Sequence, residues 1–129
     1  MRLKKYMSLL GIGSAKVDLV LEKGEAKLGE CIKGSIHIDG GNIEQHLKRI
    51  ECDLVKTDNT HREEVVETKT ILTNKVIDSE NHKEIPFSFY IPETLIPSSD
   101  CLTYRFKTRL VFNEGLKSLD QDTITILVT

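Results

Sequence analysis

The 129-residue chain has few of the features that mark nucleic-acid-binding, membrane-spanning or disulfide-rich proteins. It lacks tryptophan and is only 5% aromatic, so its core must consist mainly of isoleucine, leucine and valine. A net charge of −2 at pH 7 gives no bulk attraction to nucleic acid or anionic membranes. After residue 15 no segment approaches the ~20 apolar residues that span a bilayer. We therefore expect neither nucleic-acid binding nor stable membrane insertion.

The chain is also poor in cysteine. It contains only Cys31, Cys52 and Cys101, an odd number without C-x-x-C spacing, which argues against a disulfide framework and a zinc site. Each lies in or beside an apolar run, where free cysteine packs as a small hydrophobe, so we expect all three at the core or its edge. Three free thiols are typical of a reducing compartment, which predicts a cytoplasmic location.

Alternation of apolar and polar residues dominates the chain after residue 15. A period of two is the pattern of half-buried strands. The clearest rows are Ile85, Phe87, Phe89 and Ile91, then Tyr104, Phe106, Thr108 and Leu110. Turn residues separate seven such runs, and residues 39–42 (DGGN) predict a hairpin or loop between two of them. The pattern predicts an all-β, antiparallel sandwich of about seven strands over residues 16–129, of the immunoglobulin-like kind.

Residues 1–15 form a separate segment, predicted to be a short helix or tail. Basic residues followed by a short apolar stretch resemble a signal peptide, but glycines interrupt the stretch and no A-x-A cleavage site follows. One face of a short helix would carry Leu3, Tyr6, Met7 and Leu10. That face predicts a docking or membrane-surface element. The alternative is a cap on the chain's own sandwich or a frayed terminus.

No set of residues indicates catalysis. The four histidines are His37, His46, His61 and His82, which are scattered along the chain. Cys31 and Cys101 lie in no recognisable nucleophile motif. Alternation places His37 and Asp39 on one strand face, which is half of a metal site at most. We therefore expect no catalytic, cofactor-binding or metal-binding residues.

Two further features indicate binding surfaces. Alternation places Arg105, Lys107 and Arg109 on one outward face, where they could hold an acidic or phosphorylated partner. The alternative is cross-strand pairing with glutamates such as Glu67, worth only ~0.2–1 kcal/mol per pair. The polar run at residues 60–73 predicts an edge strand, through which a homodimer could form.

Four segments carry a family resemblance: GIGSAKVD at residues 11–18, GSIHIDGG at 34–41 followed by Gln45, EIPFSFYIP at 84–92, and LDQD at 119–122 before the last predicted strand. Their order and spacing resemble the amino-terminal domain of bacterial sporulation-control proteins, in the arrestin-like superfamily. The resemblance covers nearly the whole chain. Typical members are longer and continue into a second sandwich, so this chain is expected to be a truncated piece or a single-domain member.

The resemblance implies an arrestin-type sandwich and a non-enzymatic regulatory or adaptor role through contacts with other proteins, without a cofactor. It implies control of sporulation or of a related developmental or stress pathway. The alternative function is a secreted immunoglobulin-like structural or adhesion domain, which would require residues 1–15 to be a cleaved signal.

Overall fold

The computed structural model describes residues 15–113, 115 and 117–128. These residues form eight strands: β1 (Lys16–Leu21), β2 (Glu25–Lys27), β3 (Cys31–Asp39), β4 (Gln45–Asp58), β5 (Glu63–Ile77), β6 (His82–Tyr90), β7 (Leu102–Phe112) and β8 (Lys117–Leu127). Within this part of the chain, no helix is long and apolar enough to cross a membrane. Apart from Ala15, the predicted amino-terminal helix or tail lies outside the described residues.

The strands form two sheets, which confirms the predicted all-β sandwich. One sheet has the order β1-β3-β6 and the other the order β2-β8-β7-β4-β5. All neighbours are antiparallel except β2 and β8, which pair in parallel. Strand β2 is the eighth strand that alternation did not predict, because three residues are too few to display a period.

The two predicted aromatic rows meet in the core between the sheets. Phe87 and Phe89 of β6 and Tyr104 and Phe106 of β7 are all buried. The rings of Phe89 and Phe106 pack edge to face with their centroids 4.9 Å apart, a favoured arrangement of aromatic pairs. Isoleucines and leucines of β1, β3, β4 and β8 supply most of the remaining core, as the lack of tryptophan requires.

The turn predicted at residues 39–42 is not a hairpin. It leads from β3 to β4, which lie in different sheets, so the chain crosses the sandwich there. A Cβ atom on Gly40 would lie 2.1 Å from the carbonyl oxygen of Asp78, so only glycine allows this approach to the β5–β6 loop. Turn chemistry marks where strands end, but it does not tell whether the flanking strands pair.

The last strand also differs from the prediction. Strand β8 begins at Lys117, so the LDQD segment lies inside the strand and not before it. Val128 continues the alternation of Ile124 and Ile126 in the sequence, but it lies beyond the strand and is exposed. The alternation of apolar and polar residues is not visible in the first part of β8, because its inward-facing positions carry Asp120 and Asp122. Aspartate is common in turns, so this segment resembles a loop.

Candidate functional site

One terminal strand of each sheet, β5 and β6, lies on the same side of the sandwich. Strand β5 pairs only with β4, and β6 pairs only with β3. Lys69 of β5 reaches across this side, where its Nζ lies 3.1 Å from the Oγ of Ser88 and also donates to the Ser88 carbonyl oxygen. The same Nζ lies 5.8 Å from the centroid of the Phe87 ring, within cation–π range. One lysine therefore bridges β5 and β6, and each of these strands has one side along which no further strand of its sheet pairs.

A groove of about 560 Å³ follows these two strands. Cys31, residues 67–70 and residues 88–90 line it. The Cys31 thiol is exposed, and Tyr90 is 52% exposed. On the opposite side of the sandwich, the Leu19 amide of β1 donates to Asp120 Oδ2 of β8 at 2.8 Å. The groove, called the edge groove below, lies on the side where β5 and β6 face each other across the Lys69–Ser88 contact.

The predicted position of the edge strand is correct. Residues 60–73 were expected at an edge, and β5 lies at the end of the five-stranded sheet. Most of its side chains are exposed, and Leu72 is 81% exposed. A long edge strand with charged and threonine side chains can pair with another chain, while its charges limit indiscriminate pairing.

The outward row of Arg105, Lys107 and Arg109 is called the basic stripe below. Two of its three cations contact a single glutamate of the edge strand β5. Arg105 and Lys107 of β7 both bind Glu63, with Lys107 Nζ 2.8 Å from Glu63 Oε2. Hydrogen bonding from Lys107 is the main cause that lowers the pKa of Glu63. Glu67, named as a pairing partner from the sequence, lines the edge groove instead. Alternation predicted correctly that the three cations lie on one outward face. Which carboxylate each cation contacts depends on the register of strand pairing.

The third stripe cation has two carboxylate partners on β4. Arg109 Nε lies 2.6 Å from Glu51 Oε1, and its Nη1 lies 2.9 Å from Asp53 Oδ2. The hydrogen bond with Asp53 is the main cause that raises the pKa of Arg109, and the bond with Glu51 adds to it. Hydrogen bonding from Arg109 in turn lowers the pKa of Glu51. Asp53 is only 8% exposed. The stripe is therefore an ion-pair network, so an acidic partner must compete with carboxylates already in place.

Carboxylates also converge between the sheets, which the sequence did not predict. Asp120 and Asp122 of β8 lie near Asp18 of β1, with carboxylate oxygens within 4.8 Å of one another. Burial, followed by the hydrogen bond and charge of Asp120, raises the pKa of Asp122 to about 7. Asp122 Oδ2 is buried without a hydrogen-bond partner. The Asp122 carboxyl group can therefore hold a proton near neutral pH.

The prediction that the histidines are scattered is wrong for His37 and His82. Strand β3 pairs with β6, so His37 lies opposite Glu84 and Asp39 lies opposite His82. The two imidazole centroids are 5.3 Å apart. The pairing of β3 with β6 joins residues 45 positions apart, and nothing in the local sequence of either strand indicates it.

The cysteines divide into two kinds. Cys52 is buried, and burial raises the pKa of its thiol to about 11. The expected edge-of-core packing is wrong for Cys31 and Cys101, which are both exposed. Cys31 begins β3 with its side chain on the polar side of the alternation, and Cys101 lies in the turn before β7.

The proposed amino-terminal contact residues lie outside the described residues. They are Leu3, Tyr6, Met7 and Leu10. Their role as a docking face stays a prediction from their spacing.

The fold and the edge groove together define an all-β, two-sheet sandwich protein with a groove between two terminal strands. The sequence profile described as SpoOM protein matches residues 3–129, nearly the whole chain, and the chain belongs to this family. The sporulation-control protein spo0M of Bacillus subtilis (strain 168) is 29% identical over 130 residues, which cover 95% of this chain and 50% of the relative. The predicted family resemblance is confirmed. The chain spans about half the length of the curated relative it matches.

Solved structures support the same fold. The crystal structure of Spo0M from Bacillus subtilis superposes with a TM-score of 0.80 at 24% identity, over 89% of this chain and 50% of that chain. The alkylpurine DNA glycosylase AlkC of Pseudomonas fluorescens, solved with DNA containing an abasic site analogue, gives a TM-score of 0.56 at 14% identity. That match covers 98% of this chain and 34% of the glycosylase. At these identities the likeness concerns the fold alone.

Proposed function

We propose that this chain is a non-enzymatic regulatory module that binds an extended segment of a partner protein along the edge groove. The observation that carries the proposal is the groove between two terminal strands, β5 and β6, which Lys69 bridges. The process it serves is sporulation or a related developmental or stress pathway. Membership of the SpoOM protein family and the name of the Bacillus subtilis relative support this assignment.

The recognition mode is strand addition. An extended segment that lies beside β5 or β6 forms main-chain hydrogen bonds with the free edge, which supply affinity, while side-chain positions in the groove supply specificity. Strand β5 offers 15 residues for such pairing. Lys69 and Glu67 line the groove with opposite charges, so a suitable segment presents complementary charges beside apolar groups that contact Tyr90.

A second copy of this chain is the other occupant of the same edge. Two β5 strands that pair with each other would form a continuous sheet across a homodimer. This outcome uses the same backbone groups as strand addition, so the two compete for one surface.

The cytoplasm is the proposed location. Cys31 and Cys101 expose their thiols at the surface, and exposed thiols persist in a reducing compartment. A secreted adhesion domain, the rival function, would face oxidising conditions in which such thiols form intermolecular disulfides.

The basic stripe is a less favourable docking surface in this proposal. Glu63 already pairs with both Arg105 and Lys107, and a phosphorylated or acidic partner would have to compete with it. Free energy spent on breaking existing ion pairs subtracts from the affinity of any such partner.

Photo-crosslinking tests the proposal directly. A photoreactive amino acid placed at Thr70, which lines the edge groove, should form adducts with a partner protein in native lysate. The same group at the exposed Thr125 of β8, outside the groove, is the matched control. An adduct of twice the chain mass identifies the homodimer. Equal adducts at both positions would show that the edge groove has no special role.

A further inference from the structure

The outward face of the three-stranded sheet carries four side chains that form two cross-strand pairs. His37 of β3 lies directly opposite Glu84 of β6, and the neighbouring pair on the same face is Asp39 and His82. Directly opposed residues of antiparallel strands hold their Cβ atoms about 4.5–5.5 Å apart. The pairing therefore brings both imidazoles and the Glu84 carboxylate to one point of the surface.

The separations between these groups fit a transition-metal site. Glu84 Oε1 lies 3.4 Å from His37 Nδ1 and 3.4 Å from a His82 ring nitrogen, Nε2. Tetrahedral zinc, at about 2.0–2.2 Å from nitrogen and oxygen ligands, keeps neighbouring ligand atoms about 3.4 Å apart. One ligand atom from each of the three residues lies within 4.8 Å of the other two. Two ligand separations thus match the tetrahedral value, and small side-chain rotations would bring the third to it.

A fourth side chain orients one of the imidazoles. His82 Nδ1 lies 2.6 Å from Asp39 Oδ1. In the neutral imidazole, Nδ1–H donates to this carboxylate, so the lone pair of Nε2 points toward Glu84. Histidines that bind metals commonly donate their other ring hydrogen to a carboxylate, which fixes the tautomer and makes the ligand nitrogen more basic.

We propose that His37, His82 and Glu84 bind one divalent transition-metal ion of the zinc class, and that Asp39 is the positioning residue for His82. Two imidazole nitrogens and one carboxylate oxygen are donors that suit zinc, whereas magnesium and calcium prefer oxygen alone. The ligand side chains are 27% (His37), 49% (His82) and 58% (Glu84) exposed, so the ion has free access from solvent. Three protein ligands leave a fourth position for water or for a group from a partner.

This assignment departs from the sequence prediction of no metal site. The sequence indicated His37 and Asp39 as half of a site, and the structure completes it with two residues of β6. Asp39, which the sequence indicated as a ligand, is instead assigned the role of positioning His82. The site also differs from the edge groove, since it lies on the outward face of the sheet, and it does not depend on the proposed partner binding.

Zinc chloride alone is the probe, added to the tag-free full chain in isothermal titration calorimetry. Every sample carries Cys31→Ser and Cys101→Ser, because exposed thiols also bind zinc. We expect one zinc ion per chain, and we expect His37→Ala and His82→Ala each to weaken binding by more than about tenfold. Asp39→Asn should weaken it by at least about tenfold, as loss of an outer-shell partner typically does.

His46→Ala is the matched control. His46 Nε2 also faces a glutamate, Glu44, at 3.8 Å, yet it lies on β4. Its removal should leave zinc affinity unchanged, and circular dichroism should show that every variant is folded. Cobalt(II) should give the visible absorption of a four-coordinate site in the parent and lose it in His82→Ala.

Zinc should also raise the thermal unfolding midpoint of the parent, but not that of His82→Ala, because an ion that binds only the folded state stabilises it. Equal zinc affinity in the parent, His37→Ala and His82→Ala would overturn the site, as would the absence of saturable zinc uptake by the parent. Unchanged affinity in Asp39→Asn would overturn the positioning role of Asp39.

Discussion

Lys69 of β5 and Ser88 of β6 join two terminal strands of the sandwich, with 3.1 Å between the Lys69 Nζ and the Ser88 Oγ. The lysine also donates to the Ser88 carbonyl oxygen, so one cation contacts both the side chain and the backbone of the opposite sheet. Both residues line the edge groove, so this contact joins its two walls.

Replacement of Lys69 by methionine should loosen the edge. The change keeps most of the stem but removes the two hydrogen bonds to Ser88, so we expect a loss of about 1–2 kcal/mol in the free energy of unfolding. Urea denaturation measures it, and amide hydrogen exchange in β6 should accelerate. Lys48→Met, at an exposed position of β4, is the control and should change stability by less than about 0.5 kcal/mol. Equal effects of the two variants would show that the bridge does not stabilise the edge.

Phe89 and Tyr90 are neighbours with opposite burial. Phe89 is 3% exposed and packs against Phe106, whereas Tyr90 is 52% exposed. We expect Phe89→Ala to lower the free energy of unfolding by ~3–5 kcal/mol, because it leaves a cavity in the core. Tyr90→Ala should lower it by less than about 1 kcal/mol. Chemical denaturation of both variants tests the pair, and a loss below about 1 kcal/mol for Phe89→Ala would contradict its core position.

The inter-sheet carboxylates predict a dependence of stability on pH. The pKa of Asp122 is raised to about 7 in the folded protein, against a value of about 3.9 in an unfolded chain. Between these values the folded state binds more protons, so the contribution of Asp122 is fully present below pH 4 and is lost as pH rises through about 7.

Asp122→Asn should therefore flatten the decline in stability between about pH 4 and pH 7. Thermal unfolding of parent and variant across this range measures the difference. Asp100→Asn, at an exposed carboxylate before β7, is the control and should leave the pH profile of the parent intact. If stability declined equally with rising pH in the parent and in Asp122→Asn, Asp122 would not be the source of the decline.

The stripe cations should contribute unequally to stability. Arg109 binds Asp53, which is 8% exposed, so Arg109→Gln leaves a largely buried carboxylate without its cation and should cost about 1–3 kcal/mol. Lys107→Gln breaks a more exposed pair, with Glu63, and should cost less than Arg109→Gln does. Denaturation by urea compares the two directly. Reversal of all three cations to glutamate should destabilise the fold more, because it places like charges beside Glu51, Asp53 and Glu63.

Thiol reactivity should separate the cysteines. In native protein near pH 8, Cys31 and Cys101 should react rapidly with a chromogenic disulfide reagent, because both are exposed. Cys52 should react only after unfolding, since burial excludes the reagent and raises the pKa of its thiol to about 11. Fewer than three thiols in denatured protein, purified under alkylating conditions, would contradict the cytoplasmic location and favour the secreted alternative.

The sequence by itself determined the all-β class, the core rows and the family. Period-two alternation is a local property, so the burial of Phe87, Phe89, Tyr104 and Phe106 could be predicted without any knowledge of which strands pair. The outward position of the stripe at Arg105, Lys107 and Arg109 follows from the same rule. Polar and threonine-rich composition likewise indicated that residues 60–73 form an edge strand.

Only the tertiary structure decided which side chains meet. Strand order and register are set by packing between distant segments, and a shift of one residue would turn every side chain to the other face. The bridge from Lys69 to Ser88, the choice of Glu63 over Glu67 as a cation partner, and the union of His37 with His82 and Glu84 all depend on that register. The aspartates of β8 were overlooked for the same reason: their position between the sheets exists only once β1 has docked beside β8.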